Sequence, residues 1–463
     1  MSTQVQPAHP LHHRHPRAID AVPRNPAMDM APPASPNMVR APEAKGIRQN
    51  FVETLIFKGL ASPLALVLVV VQSRYLHTSG RGSYVLVILS VTILTRLLGQ
   101  LGYAVTNRAQ KQDAQLRPLV QSSFAIGIVL GVLGTAAIIA WGAASADIGF
   151  NVAVIAAAAL VPQVVWQGIC GVLLGLNRVR LWNVIQTLPP VLNLVGMLVL
   201  VVGLKEGVTG AVLAWTIAHF LTAFFALAAT RFTWVPMPWR KLFDLFNVPL
   251  AELALTMGAV QVVNLIAYRA ELLVLNHYRN VNEVGVYSIS VQTAEMMWLI
   301  AGSLATAMTA PCLHESEEDA AKLVRKSAAK TLIYTAGVAV LVGAFVPYAF
   351  GPLLGSSFEG ASTPLRLLLP GVTIYAPVTI FVVYLSVRHG RPHLSLAVSV
   401  LGLIGTVIAA LILIPRYGAS GAALSSTIGY AAGALLAWLF FERLRREKSA
   451  AVPATPAPAT AQA

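Results

Sequence analysis

The chain has 463 residues, of which 56% are hydrophobic and only 11% charged, and its mean hydropathy is +0.68. A water-soluble domain carries about twice that charged fraction, so the composition excludes a soluble enzyme or a soluble binding module. The formal net charge of +14 suggests a nucleic-acid partner only until the basic residues are placed along the chain, where they mark one side of a membrane.

Residues 1–45 are rich in Pro, Ala, His and Arg and hold no long apolar run. They read as a disordered cytoplasmic tail without a signal peptide. His9, His12, His13 and His15 are then solvated tail residues rather than a metal site. Apolar blocks of about 20 residues follow, each long enough to cross a hydrocarbon core about 30 Å thick. Spans 1 to 6 cover 50–72, 83–107, 119–142, 151–175, 183–203 and 208–230. Spans 7 to 12 cover 248–275, 285–310, 328–350, 366–387, 394–414 and 420–441. In lipid a helix of this length satisfies every one of its own backbone groups. The fold class read here is therefore an all-α polytopic membrane protein of about twelve transmembrane helices. Its expected organisation is a tail (1–45), an N-terminal six-helix lobe (46–235), a C-terminal six-helix lobe (236–445) and a second disordered cytoplasmic tail (446–463).

An even number of spans leaves both termini on one side. With that side in the cytoplasm, inner segments hold roughly 21 Lys and Arg against roughly 6 in outer loops, the asymmetry of a positive-inside topology. Arg108, Lys111, Arg178, Arg180, Arg240, Lys241, Arg325, Arg388, Arg391 and Arg443 all fall in the inner set. The longest internal loop, 311–327, begins with Glu315, Glu317, Glu318 and Asp319 and ends with Lys322, Arg325 and Lys326. That order suits a short surface helix whose dipole the charges complement. Cys170 and Cys312 have no metal or disulfide spacing and read as small packing residues.

The second half repeats the first. GVTGAVLAWTIA (207–218) returns as GASGAALSSTIG (418–429), and GRGSYVLVIL (80–89) returns as VGVYSISVQT (284–293). Gly-Leu-Asn-Arg at 175–178 has a looser echo in Arg-His-Gly-Arg at 388–391. A membrane protein built of two like halves places its site where the halves meet, which is a transporter architecture.

The residues able to carry chemistry are charges at membrane depth, each costly there. At 1.5 Å per residue Lys58 lies about 12 Å into span 1. Arg96 is near the middle of span 2 and Glu295 near the middle of span 8. Arg269 and Glu271 are in the outer third of span 7, and Glu53 and Glu252 near the inner ends of spans 1 and 7. These charges are confined to the first two spans of each half, the helices expected to face a shared aqueous cavity. Lys58, Arg96 and Arg269 are the candidate anion-binding residues, with Arg suited to bidentate contact with phosphate. An Arg96–Glu295 salt bridge is the structural alternative. Arg269 and Glu271, two apart on a helix, do not face each other. Glu271 and Glu295 are candidates for proton coupling, since buried carboxylates can exchange protons. Pro63, Pro370 and Pro377 each remove a backbone donor inside a span and are candidate hinges. No phosphate loop, metal-ligand spacing or catalytic constellation is present, so neither enzyme, cofactor nor metal is expected.

The pattern resembles the polysaccharide-export (Wzx-type) flippases of the multidrug/oligosaccharidyl-lipid/polysaccharide (MOP) superfamily. The likeness is carried by LHTSGRGSY (76–84), AELLVLNHYRNVNEVGVYSISVQTAEM (270–296), LRLLLPGV (365–372), RHGRP (388–392) and IPRYGASGAAL (414–424). It covers about residues 48–440. It implies a two-lobe, twelve-helix fold working by rocker-switch alternating access. The implied substrate is an undecaprenyl-pyrophosphate-linked oligosaccharide repeat unit, moved across the bacterial inner membrane for O-antigen, exopolysaccharide or capsule synthesis. Implied partners are membrane lipids, a polysaccharide polymerase and a chain-length regulator, with no nucleic acid. The family's cavity is often cationic, as Lys58, Arg96 and Arg269 suggest here. It often has Asp where this chain has Glu271. The superfamily's lipid II flippases usually have fourteen helices, and twelve argues against that branch. The alternative is a cation-coupled drug antiporter of the same superfamily, which would favour an acidic cavity. A membrane polymerase or ligase for sugars would need larger outer loops.

Overall fold

The computed structural model describes residues 47–109, 116–144, 149–176, 178–229 and 243–450. Lys58 and Glu53 lie in the first described helix, but the side chains of residues 47–62 fall outside that description, as does the tail 1–45. Every described element is a helix. Nine described helices are long and apolar enough to cross a membrane. Two of these are pairs of rods: Ile47–Leu98 turns at His77, where φ is 56°, and Pro392–Ala450 turns at Gly418, where φ is 55°. They hold spans 1 and 2 and spans 11 and 12. Span 8 is divided into Val281–Glu295 and Trp298–His314, each piece too short to cross alone. Splitting the two kinked helices and rejoining span 8 returns the twelve crossings expected from the sequence.

Large apolar side chains such as Leu133, Phe224, Val340 and Phe345 are exposed around the outside. In water that surface would drive association; facing lipid it costs nothing. The loop expected to form a separate surface helix does not. Glu317–Leu354 is one helix of 38 residues, so the acidic residues form the first turn of span 9. The charge logic survives: Ser316 caps that turn, its Oγ accepting from Asp319 N at 3.2 Å, and Glu317, Glu318 and Asp319 sit at the positive dipole end. The last helix runs to Ala450, five residues into the segment expected to be a tail, because Arg443 and Glu447 pair one turn apart at 3.0 Å.

The repeat is visible in the backbone. Gly207 and Gly418 stand at matched positions and both take a left-handed φ, 56° and 55°, which an L side chain resists. Each turns the chain into the helix that follows. Within the N-terminal half, span 4 packs against spans 2 and 3, and span 5 against span 6. In the C-terminal half, the helix of spans 11 and 12 packs against span 10 and the outer piece of span 7. The halves meet where spans 1 and 2 pack on spans 7 and 8.

Among the described residues the halves meet backbone to backbone at two places. Spans 2 and 7 touch where a Cβ on Gly258 would lie 1.9 Å from the Leu97 carbonyl oxygen, and a second seam lies at the end bearing the His77, Gly207 and Gly418 turns, called here the kink end. A Cβ on Gly82 would lie 1.9 Å from the Val281 carbonyl oxygen, and one on Gly285 would lie 2.0 Å from that of Thr78. Thr78 Oγ1 also reaches Asn282 Oδ1 at 3.2 Å. Two backbones in such contact exclude both side chains and water, so the halves are closed against each other here.

Candidate substrate cavity between the two halves

Between the kink-end seam and the Leu97–Gly258 contact the halves enclose a cavity of about 750 Å³. Spans 1, 2, 5, 6, 7 and 8 all contribute to its wall. The wall is apolar along span 1, from Leu66 to Val69, and polar where Gln72, Asn193, His219 and Gln292 face in. Arg96, Arg269 and Glu295 also line it. Arg96 and Arg269, two of the three cations expected between spans 1, 2, 7 and 8, line this one space, and residues of spans 5 and 6 join them.

The two arginines differ. Arg269 stands at a break in span 7, between Val248–Ala267 and Ala270–Tyr278. Glu295 ends Val281–Glu295 at the break in span 8. The two breaks face each other and the side chains close across them. Arg269 Nη1 donates to Glu295 Oε1 at 2.5 Å and Nη2 to Oε2 at 2.6 Å. Nη1 also donates to the Tyr268 carbonyl at 3.0 Å, one of the carbonyls that the broken helix leaves without an intrahelical partner. The fork-to-fork geometry is the strong bidentate form. Tyr268, Trp298, Tyr375 and Tyr430 stack around the break with ring centroids 5.1 to 6.1 Å apart, which holds the open turn in shape.

Glu295 is therefore not the partner of Arg96, as the structural alternative had it. Arg96 is exposed to the cavity and has no ion pair or hydrogen bond to any described residue. Two formal cations and one carboxylate among the described wall residues leave one net positive charge, placed on Arg96. Lys58 lies outside the described side chains.

Glu271 does not face the cavity. It is 1% exposed, inside the C-terminal half, where the Tyr287 hydroxyl donates to its Oε1 at 3.4 Å and itself meets Ser426 Oγ at 3.1 Å. Its Oε2 has no partner. The two-residue spacing from Arg269 places the acid on the opposite side of the helix, as the periodicity requires. Among the candidate hinges, Pro63 and Pro370 lie inside helices that continue through them. Pro377 alone coincides with an interruption, between Ser362–Tyr375 and Val378–Val382. The breaks beside the cavity, at Tyr268–Arg269 and Met296–Met297, involve no proline.

No family model and no curated protein matches the chain. Solved structures do. An inward-facing multidrug resistance MATE family transporter of the MOP superfamily superposes with a TM-score of 0.71 at 15% identity, over 84% of this chain and 96% of that one. The lipid II flippase MurJ in an inward closed conformation gives 0.70 at 15% identity, over 84% and 87%. The chain has the MOP transporter fold. A MOP superfamily transporter from Pyrococcus furiosus, described by the reverse polarity of its binding pocket, gives 0.63 at 16% identity, over 88% and 97%.

Within the MOP fold three polar groups stand out that the sequence reading passed over. Arg81 is 0% exposed at the kink-end seam. Its Nε donates to Ser288 Oγ at 3.0 Å, Nη1 to Gln72 Oε1 at 2.9 Å and Nη2 to Gln292 Oε1 at 2.5 Å. It thus bridges span 1 to span 8 with neutral acceptors only. The sequence placed Arg81 in an outer turn, since nothing local shows that the turn is covered by the other half. His219, midway along span 6, was legible as an intramembrane ionisable residue. Its Nε2 meets Gln163 Nε2 at 2.7 Å, and Gln163 Oε1 accepts from Thr95 Oγ1. Gln163 therefore donates its amide to His219, which keeps its own proton on Nδ1. Trp166 and Trp215 pack on the imidazole.

Proposed function

We propose that the chain is a flippase for undecaprenyl-pyrophosphate-linked oligosaccharide units in the bacterial inner membrane, working by alternating access between its two halves. The observation that carries this reading is Arg96, a cation at membrane depth in a cavity where, among the described residues, it has no partner and no carboxylate is left unpaired on the wall. A charge held at membrane depth without a counter-ion is costly, and an anionic ligand relieves that cost. A pyrophosphate suits a free guanidinium, whereas a cationic drug would find the wall carboxylate Glu295 already engaged by Arg269. The neighbours in fold are transporters and a flippase, which supports a transport role over catalysis.

In this reading the kink end is the shut side of the cycle, and the Leu97–Gly258 contact between spans 2 and 7 narrows the other side in this state. The fold similarity runs the same way: the TM-score is 0.71 with an inward-facing transporter and 0.59 with an outward-facing one. With both termini in the cytoplasm, loading would occur from the cytoplasmic leaflet, where the lipid-linked unit is made. Drug antiport, the alternative, needs a carboxylate free to meet a cation. Glu295 is engaged by Arg269 and Glu271 lies outside the cavity, so this geometry disfavours it.

Complementation of a strain lacking its flippase tests the reading. The wild-type gene restores surface polymer, and Arg96→Ala at equal membrane abundance does not. Undiminished export by Arg96→Ala, or ethidium resistance conferred without export, overturns it.

A further inference from the structure

We propose that a second pocket, inside the N-terminal half, binds the uncharged saccharide of the transported molecule while Arg96 at its mouth holds the anionic link. The proposal rests on the flippase reading and specifies where the substrate's parts lie. The pocket has a volume of about 330 Å³. Residues of spans 2, 4 and 5 wall it. It shares Thr92 and Arg96 with the central cavity, so the two spaces join at a cation without a partner among the described residues.

Its chemistry is unusual for the interior of a membrane protein. Among the described residues no Asp or Glu lines it, and Arg96 is its only charge. Gln100, Gln167 and Gln186 contribute primary amides, and Trp166 and Trp182 contribute indoles. Gln100 and Trp166 are each 5% exposed, yet Gln100 Oε1 and Trp166 Nε1 have no partner. Gln167, Gln186 and Trp182 likewise make no hydrogen bond to a described residue. Buried polar groups are paired in the great majority of cases, so the unpartnered atoms of buried Gln100 and Trp166, beside the more exposed Gln167, Gln186 and Trp182 on the same wall, point to a ligand that supplies partners.

The partner must both donate and accept, because an amide offers two donors and an acceptor while an indole offers one donor. Hydroxyl groups do both. A polyanion would need more than one cation, a cation would need a carboxylate, and a hydrocarbon would leave the amides unpaired. Flat indole faces also suit the apolar face of a sugar ring, with the ring hydroxyls reaching the amides at the edge. The volume is at the lower end of the about 300–1,000 Å³ range of small-molecule pockets, room for a short saccharide and not for a polyprenyl chain. The Thr95–Gln163–His219 chain of hydrogen bonds spans the partition between this pocket and the central cavity, with Gln163 lining the first and His219 the second. It holds that partition in one geometry.

The test compares two probes on purified full-length protein: undecaprenyl pyrophosphate, and the sugar-bearing lipid that accumulates in cells deleted for this transporter. Wild type should bind the sugar-bearing lipid at least about tenfold more tightly. Gln167→Leu, Gln186→Leu and Trp182→Ala should each remove most of that preference while leaving affinity for undecaprenyl pyrophosphate within about twofold. Arg96→Ala should weaken both. A second measurement leaves the pocket amides and indoles in place. In a background lacking Cys170 and Cys312, Leu174→Cys on the pocket wall should be protected from maleimide by the sugar-bearing lipid and not by undecaprenyl pyrophosphate. Unchanged preference in all three pocket variants, or equal protection by both lipids, overturns the saccharide site while the Arg96 result leaves the flippase reading intact. Wild type that binds neither lipid overturns both.

Discussion

Gly82 and Gly285 hold the same place in the two halves, and each receives the other half's backbone. The carbonyl oxygen nearest a Cβ on Gly82 belongs to Val281, and that nearest a Cβ on Gly285 belongs to Thr78. Val281 is the repeat equivalent of Thr78. The contact is thus reciprocal, as in an isologous dimer interface, although both partners belong to one chain. A seam made by two matched glycines can close tightly and, having no interdigitated side chains, can also part.

A methyl group at either glycine should hold the kink end open. Thr78→Cys with Asn282→Cys, in a background lacking Cys170 and Cys312, should crosslink readily because the native side chains meet at 3.2 Å. Adding Gly82→Ala or Gly285→Ala should cut that crosslinking several-fold, since the new Cβ must displace a carbonyl that cannot move alone. Equal crosslinking with and without the alanine would show that the seam tolerates the methyl group.

Arg81 should act with these glycines as a latch. Its bonds to Ser288 and Gln292 cross between the halves and exist only while they are closed, whereas that to Gln72 lies within the N-terminal half. Arg81→Lys keeps the charge but cannot reach three acceptors with one ammonium. Loss of one partner leaves buried acceptors unpaired, a cost of about 1–3 kcal/mol each. Faster hydrogen exchange at residues 78–85 and 281–288 is the expected reading, with the rest of the protein unchanged.

The Arg269–Glu295 pair should be primarily a stabilising device in the closed state. Removing one partner of a fully buried pair costs about 3–5 kcal/mol; here the side chains keep 24% and 18% of their exposure, so the loss should be smaller. Glu295→Gln should lower Tm, and Arg269→Gln with Glu295→Gln should recover part of it. Arg269→Lys should also lower Tm, because one ammonium cannot reproduce two parallel bonds. A double variant no better than the worse single one would show that the two side chains are not coupled.

If the cycle is driven by protons, Glu271 is the carboxylate placed to carry one. It is buried, has an unpartnered oxygen, and is not neutralised by a bidentate arginine as Glu295 is. Glu271→Gln is expected to fold and insert normally and to make export independent of the proton gradient. Gradient dependence identical to wild type would remove Glu271 from coupling.

Topology has its own test. A reporter active only in the periplasm should be active when inserted after Gly207, at the kink end, and silent after Arg445, at the other. The opposite result would invert the direction of transport proposed above.

The amino-acid sequence by itself determined what depends on short stretches and on composition. Apolar run length gave the helices and their number, because a bilayer sets a fixed length for a self-satisfied backbone. The Gly-x-Tyr and Gly-x-x-Gly echoes marked the repeat, since a left-handed turn at Gly207 and Gly418 and a backbone contact at Gly82 and Gly285 each demand glycine locally. Helical periodicity alone separated Arg269 from Glu271. Tertiary structure decided everything that turns on which helix lies opposite. Depth along a span made Arg96 and Arg269 equal candidates, and only the rotation of span 8 gave Glu295 to one and left the other unpaired. Arg81 looked solvated because its cover comes from residues about two hundred positions away. Pro63 and Pro370 looked like hinges because a missing donor is visible in sequence, whereas the breaks at Arg269 and Glu295 are sustained by an ion pair between two helices, which no single stretch of chain encodes.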